Sequence, residues 1–427
     1  MAHKTLVNYT AYEISGGKTL VEGTSYSVKN GKVLVGGTEY DISFLLPPAA
    51  LYMWSNDGQL NCITYANGYY VVGGWRYASG VYHAQIAYAT ELNGTWTIKE
   101  LWSSDEAEDN AGCEINCVTY ANGYWVVGGS SVVGGYNKGR IAYTSSSPSE
   151  SWTIKDLWST TYSSTCVKCI AYGDDGYWVA GGKTYDSSNF IGAYISYSTT
   201  LNAIWSHRYL WRSTYNSDYD VETIITSVAY SNGHWVAVGE YGSSTSTAKV
   251  GYATSPYGDW TTKDLWSTSN STNPEARITC VTPNANGYWI AGGYLRYGYN
   301  VNMEITGYIA YSSISNPANF TAINTGLPML INSITYADGY YVIAGMYYDK
   351  STDDCYAAIA YSTTIGTNWT VIPVWTSENV ASSVFDGDWK GDIDEVINVN
   401  GYWIVVGTKY TSARLAYSSD LAGLSDM

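Results

Sequence analysis

Basic residues are scarce in this chain: 21 Lys and Arg stand against 37 Asp and Glu, a formal net charge of −16 over 427 residues. That balance excludes nucleic acid as a partner, because phosphate binding needs a basic footprint. No run of 18 apolar residues occurs, so no membrane-spanning helix is expected. The opening residues, Met1-Ala2-His3-Lys4, lead into no apolar segment of the signal-peptide kind, which predicts synthesis in a cytoplasm without export by that route. Histidine is limited to His3, His83, His207 and His234, and neither a Ser-His-Asp order nor Gly-x-Ser-x-Gly is present. Seven cysteines, an odd number, argue against a disulfide framework. Cys166-x-x-Cys169 and Cys113-x-x-x-Cys117 lack a second pair or a histidine at ligand spacing, so neither a metal nor a cofactor is expected. Phenylalanine occurs 4 times, against 44 Tyr and 18 Trp. Aromatic rings with a polar tip suit half-wet interfaces.

What is abundant is repetition. An apolar strand, a tight Asn-Gly-type turn and a Tyr-Trp-Val-Val-Gly-Gly-like return recur seven times, with turn glycines at Gly68, Gly123, Gly176, Gly233, Gly287, Gly339 and Gly401. Asn-Gly is the strongest short-range hairpin signal. In the second copy, Ile115–Tyr120 and Tyr124–Val127 are the hairpin strands, the return stopping at Gly128-Gly129. Arg140–Thr144 reads as a third strand, and Ser151–Trp158, which alternates apolar and polar residues, as a fourth. The third-strand tyrosine recurs from Tyr88 to Tyr417, and the fourth-strand Leu-Trp recurs except in the fifth copy, which has Leu327-Pro328. Four antiparallel strands at a period near 50 residues predict an all-β, seven-bladed β-propeller over residues 47–427. The seventh copy lacks its fourth strand, and residues 51–54 supply one that closes the ring, which removes two exposed sheet edges. Cys62, Cys117, Cys169 and Cys280 share one blade position with Ser227 and Ser333, a small buried site on the innermost strand.

Residues 1–46 carry a shorter repeat of 14 residues, beginning at Lys4, Lys18 and Lys32, and read as a small β-repeat attachment module. Three such hairpins have little core of their own.

Variable loops on a rigid scaffold are where binding residues usually reside. The long second-to-third loops and blade connections open on one face. The ligand-binding set expected there is Trp75, Arg76, Tyr77, Tyr136, Tyr185, Tyr241, Tyr294, Arg296, Tyr297 and Tyr347. Tyr215, Tyr219, Tyr299 and Tyr348 belong to the same face, with acids Asp105, Glu106, Glu108, Asp109, Asp218, Asp220, Asp353, Asp354, Asp386 and Asp388. Rings that stack on pyranose faces, beside acids that accept hydroxyl protons, suit a glycan; a solvated polar rim is the plainer alternative. The stretch 386–395 has the oxygen density of a calcium loop but not the EF-hand spacing, and a solvated acidic loop fits better. A glycosidase needs two placed carboxylates, and nothing in the chain selects a pair, so the protein is expected not to be an enzyme and no catalytic residue is assigned.

The turns Ala89–Trp96, Thr254–Trp260 and Ser362–Trp369 resemble the Ser-x-Asp-x-Gly-x-x-Trp box of sialidase-like propellers, without its aspartate. That family's arginine triad has no counterpart that can be placed. The N-terminal segments Gly17–Tyr26 and Gly31–Tyr40 resemble stretches in bacteriophage and prophage tail or virion proteins. The resemblance implies a non-enzymatic virion protein, a tail fibre or other adhesin, that assembles with other virion proteins through residues 1–46 and binds a host surface glycan through the loop face. A homo-oligomer is compatible with it, though no heptads are present. A capsid or tail decoration subunit and a glycoside hydrolase are the alternatives.

Overall fold

The computed structural model describes residues 49–427 apart from 55–56, 105–111, 134–135, 161–164, 186–189, 215–221, 243–244, 269–274, 299–303, 353, 367, 376–390, 410–411 and 426, together with the backbone of six short strands within residues 3–41. The chain forms two compact units, Met1–Pro47 and Pro48–Met427. In the first, strands His3–Val7, Thr10–Ser15, Lys18–Val21 and Thr24–Ser27 make one antiparallel sheet, and Lys32–Val35 pairs with Thr38–Asp41.

The second unit is a seven-bladed β-propeller. Blades 1 to 6 are four-stranded antiparallel sheets whose first strands are Gly58–Ala66, Glu114–Ala121, Cys166–Tyr172, Ile224–Ser231, Glu275–Pro283 and Met329–Ala337. Blade 7 takes its first three strands from Asp392–Val399, Tyr402–Lys409 and Ser412–Ser418, and its fourth from Ala49–Trp54. The seven first strands touch in order around the ring, the last meeting the first, so they line a central channel. In blade 5 the fourth strand shrinks to Thr321–Asn324, where the Leu-Trp signal is missing.

Local chemistry accounts for the blade. At Asn67-Gly68, Asn122-Gly123, Asn232-Gly233, Asp338-Gly339 and Asn400-Gly401 both turn residues have positive φ, the conformation a tight hairpin with matching twist requires. Trp125, Trp178, Trp235 and Trp289, one residue into each return strand or nearby, are fully buried and form the centres of the inter-blade cores. Fourth-strand tryptophans tie one blade to the next: Trp102 Nε1 donates to Ser130 O at 2.8 Å, Trp211 Nε1 to Glu240 O at 2.8 Å and Trp266 Nε1 to Tyr294 O at 3.0 Å.

One sequence expectation is corrected. The return strands do not stop at Gly-Gly; they run on, as Tyr69–Ala78, Tyr124–Val133 and Tyr288–Tyr297. The second glycine serves a different purpose. A Cβ on Gly129 would lie 1.9 Å from Glu114 O, and one on Gly74 would lie 1.9 Å from Gln59 O. Only glycine permits that approach, and it occurs opposite a bulge in the first strand. The same bulge recurs in every blade, between Leu60/Cys62, Ile115/Cys117, Val167/Cys169, Ile225/Ser227, Ile278/Cys280, Ile331/Ser333 and Ile393/Glu395.

Candidate functional site

A bulge re-aims the side chain of the extra residue. Here the seven extra residues are Asn61, Asn116, Lys168, Thr226, Thr279, Asn332 and Asp394. Five of them do the same thing. Each donates a hydrogen bond to a backbone carbonyl of the next blade's first strand: Asn61 Nδ2 to Ile115 O at 2.8 Å, Asn116 Nδ2 to Val167 O at 3.1 Å, Thr226 Oγ1 to Ile278 O at 2.5 Å, Thr279 Oγ1 to Ile331 O at 2.6 Å and Asn332 Nδ2 to Ile393 O at 3.0 Å. A short neutral donor is what the scaffold needs there. Lys168 and Asp394 break that rule. Departures of this kind from a scaffold's own rule are where a functional site is sought.

The two exceptions belong to one polar cluster at the end of the channel where the first strands begin, the face of the variable loops. Lys168 Nζ lies 3.1 Å from Glu114 Oε1 and 2.9 Å from Asn116 Oδ1, and Asn116 Nδ2 donates to the same Glu114 oxygen at 2.9 Å. Gln59 Nε2 donates to Asp394 Oδ2 at 2.8 Å. Burial, the largest influence on the Glu114 carboxyl, would raise it, but the Lys168 ammonium, the Asn116 amide and Lys183 together hold Glu114 below the usual carboxylate range. Burial pushes Asp394 up to about 7, opposed by the Gln59 amide and Lys168 and reinforced by the Glu114 charge. Asp392, with its neighbour Asp394, is also raised by burial, and Asn332 Nδ2 donates to its Oδ1 at 2.9 Å. Lys168 and Glu114 keep 33% and 24% of their side-chain surface accessible, enough for a substrate to reach them.

Around the ring, blades 3 to 5 add a second group. Arg277 Nη2 lies 2.9 Å from Glu222 Oε2, 2.8 Å from Glu240 Oε2 and 3.0 Å from Glu275 Oε1. Lys183 also pairs with Glu222, and Arg296 Nη2 meets Glu275 Oε2 at 2.6 Å. Burial raises Glu222, but Lys183 and Arg277 pull it down to about 2. Burial lifts Glu240 to about 7 against the pull of Arg277. Burying so many charges contributes little net stability compared with an apolar seam.

The loop-face set expected from the sequence divides. Tyr294 and Arg296 belong to this second group: Tyr294 is buried and its hydroxyl donates to Glu275 Oε1 at 2.6 Å. Trp75 and Tyr77 both pack on Tyr82 of their own blade, at 5.5 and 4.8 Å between ring centroids, and Arg76 Nε is buried with no hydrogen-bond partner. Tyr241 holds Lys249 Nζ 5.3 Å from its ring centroid, Tyr297 packs on the core between blades 4 and 5, and Tyr347 stacks on Tyr356 at 5.3 Å. These residues sit on the extended second strands rather than on loops. The side chains of Tyr136 and Tyr185 lie outside the described residues, as do Tyr215, Tyr219, Tyr299, Asp105, Glu106, Glu108, Asp109, Asp218, Asp220, Asp353, Asp386 and Asp388. The acidic stretch 386–395 is in part strand: Asp392, Asp394 and Glu395 open blade 7. Glu395 takes the Cys/Ser position, where it accepts from Ile63 N at 2.6 Å, as Ser333 Oγ does from Val396 N at 3.2 Å. Glu114, Lys168, Lys183, Glu222, Glu240, Glu275, Arg277 and Asp394 were missed. Aligning the copies on their glycine pairs singles out Lys168 and Asp394; the others meet only in the folded ring.

No protein-family model matches the chain, and no curated protein does. Solved structures match it closely in fold. A PL25 ulvan lyase bound to -[GlcA(1-4)Rha3S]- superposes with a TM-score of 0.56 at 9% identity, covering 86% of this chain and 95% of that one. A second structure of a PL25 ulvan lyase gives 0.55 at 10% identity over the same shares. A GH43 β-1,3-galactosidase is matched over 58% of this chain and 55% of its own, at 18% identity and a TM-score of 0.32. Both of these ulvan lyases are polysaccharide-cleaving enzymes, and this overturns the expectation that the protein is not an enzyme. At these identities the likeness establishes the fold; the chemistry rests on the residues at the channel mouth. None of the neighbours points to a phage particle.

Proposed function

We propose that the protein is a glycan-degrading enzyme that cleaves glycosidic bonds at the loop-face mouth of its channel. One observation carries this reading: two carboxyl groups in one mouth are partnered differently, Glu114 with the Lys168 ammonium at 3.1 Å and Asp394 with the Gln59 amide at 2.8 Å, and are pushed in opposite directions from the usual carboxylate range. Carboxyls whose environments push them apart are how an acid and a base are assigned at neutral pH. Asp394, raised to about 7, keeps a proton to give to the leaving glycosidic oxygen. Glu114, held ionised by Lys168, serves as base or nucleophile at the anomeric carbon. The carbohydrate-cleaving propeller neighbours support the reading.

The test is a depolymerisation assay with neutral and uronate-bearing polysaccharides, read by mass spectrometry. Turnover that drops at least ~100-fold in Asp394→Asn and Glu114→Gln, with the fold intact, is the expected result. Turnover of no substrate, or turnover that survives both changes, would remove the proposal. A second reading, β-elimination, is supported by the two polysaccharide-lyase neighbours in fold; unsaturated product ends would distinguish it from hydrolysis. Residues 1–46 are proposed to attach the enzyme to a larger assembly such as a virion. A chain lacking them should keep turnover and lose assembly, and unchanged assembly would end that part of the proposal.

A further inference from the structure

At the opposite end of the propeller, where the tight turns lie, the seam between blades 2 and 3 holds an open cleft of about 290 Å³. Asn122, Tyr124, Tyr143, Trp178, Thr200 and Asn202 line it. Its size falls close to the roughly 300 Å³ at which small-molecule sites begin. Tyr124 and Tyr143 meet edge to face at 6.3 Å, and Tyr124 leaves 38% of its surface exposed. Asn122 and Tyr124 make no side-chain hydrogen bond among the described residues.

Four other seams are bridged where this one is open. Between blades 1 and 2, Asn67 Nδ2 donates to Ser146 O at 2.5 Å and Ser147 Oγ donates to the Tyr69 hydroxyl at 3.4 Å. Between blades 3 and 4, the ring of Tyr257 packs on Tyr177 at 5.5 Å. Between blades 6 and 7, Asn398 Nδ2 donates to Asp338 Oδ2 at 2.9 Å, and between 7 and 1 Asn400 Nδ2 donates to the Tyr70 hydroxyl at 3.0 Å. The third-to-fourth loops of blades 3 and 4 share one geometry, with Trp205 Nε1 donating to Leu201 O at 3.3 Å and Trp260 Nε1 to Pro256 O at 3.2 Å. Counting back from those tryptophans, Asn202 stands where blade 4 has Tyr257. Blade 3 therefore carries an amide where its neighbour carries the ring that fills the gap.

We infer that this cleft is a second binding site, for a ring of an uncharged glycan. The lining offers aromatic surface, amides and hydroxyls but no acid, lysine, arginine or histidine. Stacking on a pyranose face combined with hydrogen bonds to its hydroxyls uses all three. A charged ligand would find no counter-ion. The site is at the other end of the channel from Asp394 and Lys168, so a sugar held here is not the one presented to those groups. It does not depend on the catalytic reading.

The test uses the full chain and a panel of cello-, malto-, laminari-, xylo- and mannohexaose, with binding followed by calorimetry and saturation-transfer NMR. At least one neutral hexaose is expected to bind, with Tyr124→Ala and Asn202→Tyr each weakening it ten-fold or more while Asp394→Asn leaves it unchanged. Asn202→Tyr imports the ring that closes the next seam; if that chain misfolds, Tyr124→Ala decides alone. Binding of no member of the panel, or binding that both variants retain, overturns the site. Absence of turnover of every polysaccharide by the unaltered chain, with this binding intact, would discredit the channel mouth and leave the cleft standing.

Discussion

Blades 1, 2, 4, 5 and 6 differ from blades 3 and 7 at one position, the bulged residue of the first strand. In the five, an Asn or Thr reaches across and donates to the next blade's backbone, so the side chain serves the ring. In the two, Lys168 and Asp394 turn to other charged or polar partners around the channel mouth. A copied scaffold makes this comparison sharp, because the backbone is the same at all seven places and only the side chain has changed. Stability is built by the repeat, and the proposed function draws on departures from it.

The comparison can be broken in several ways. The largest effect belongs to the shared part: Trp125→Ala empties a fully buried site between blades and should cost about 3–5 kcal/mol, measured by denaturant unfolding, with no catalytic group touched. A cost near zero would mean the seams are not what holds the ring. Asp394→Asn should lose at least ~100-fold in turnover. The same change restores the neutral donor of the other blades, so the melting temperature should hold or rise. A fall in stability with turnover kept would reverse the roles assigned to the two classes of blade.

The next effect is on pH dependence. Glu395 stands at about 7 when folded, because burial raises it, and at the ordinary carboxylate value when unfolded. The folded chain therefore keeps a proton that the unfolded chain releases. That contribution is complete below about pH 4.5 and is lost as pH rises through about 7. Asp394 acts in the same direction. Stability should decline by on the order of 1–3 kcal/mol over that window, and Glu395→Ser, the residue two other blades use, should flatten the slope. A curve identical in the variant would rule Glu395 out as its source. Smaller still, Thr226→Ala leaves Ile278 O unpaired at the seam and should cost about 1 kcal/mol, while Lys168→Asn should change stability by about 0.5 kcal/mol or less. Equal costs for the two would erase the distinction between structural and functional bulge residues.

Much of the architecture was legible in advance, and for a physical reason. Asn-Gly turns, buried tryptophans and period-2 strands each act within a few residues, so seven copies announced seven blades. The bulge was not legible, since the glycine pair that permits it reads equally well as the end of a strand. Nor was the channel mouth. Arg277 meets Glu222 and Glu240 only because blades 4 and 5 stand side by side, and Asp394 meets Gln59 only because the ring closes. Tyr294 and Arg296 were expected in a variable loop and stand instead on an extended strand; Lys168 and Asp394 lie inside strands, where a reading based on loops does not look.

Closure by Ala49–Trp54 has a temporal consequence. Its partner strand, Ser412–Ser418, is translated more than 350 residues later, with Arg414 set over the Tyr52 ring at 3.5 Å. At about 5–20 residues per second, the ribosome leaves the early strand waiting for roughly 20–70 seconds with its edge unpaired. Slower synthesis lengthens that vulnerable interval, so the yield of correctly folded protein is tied to translation speed through a single hairpinless pairing.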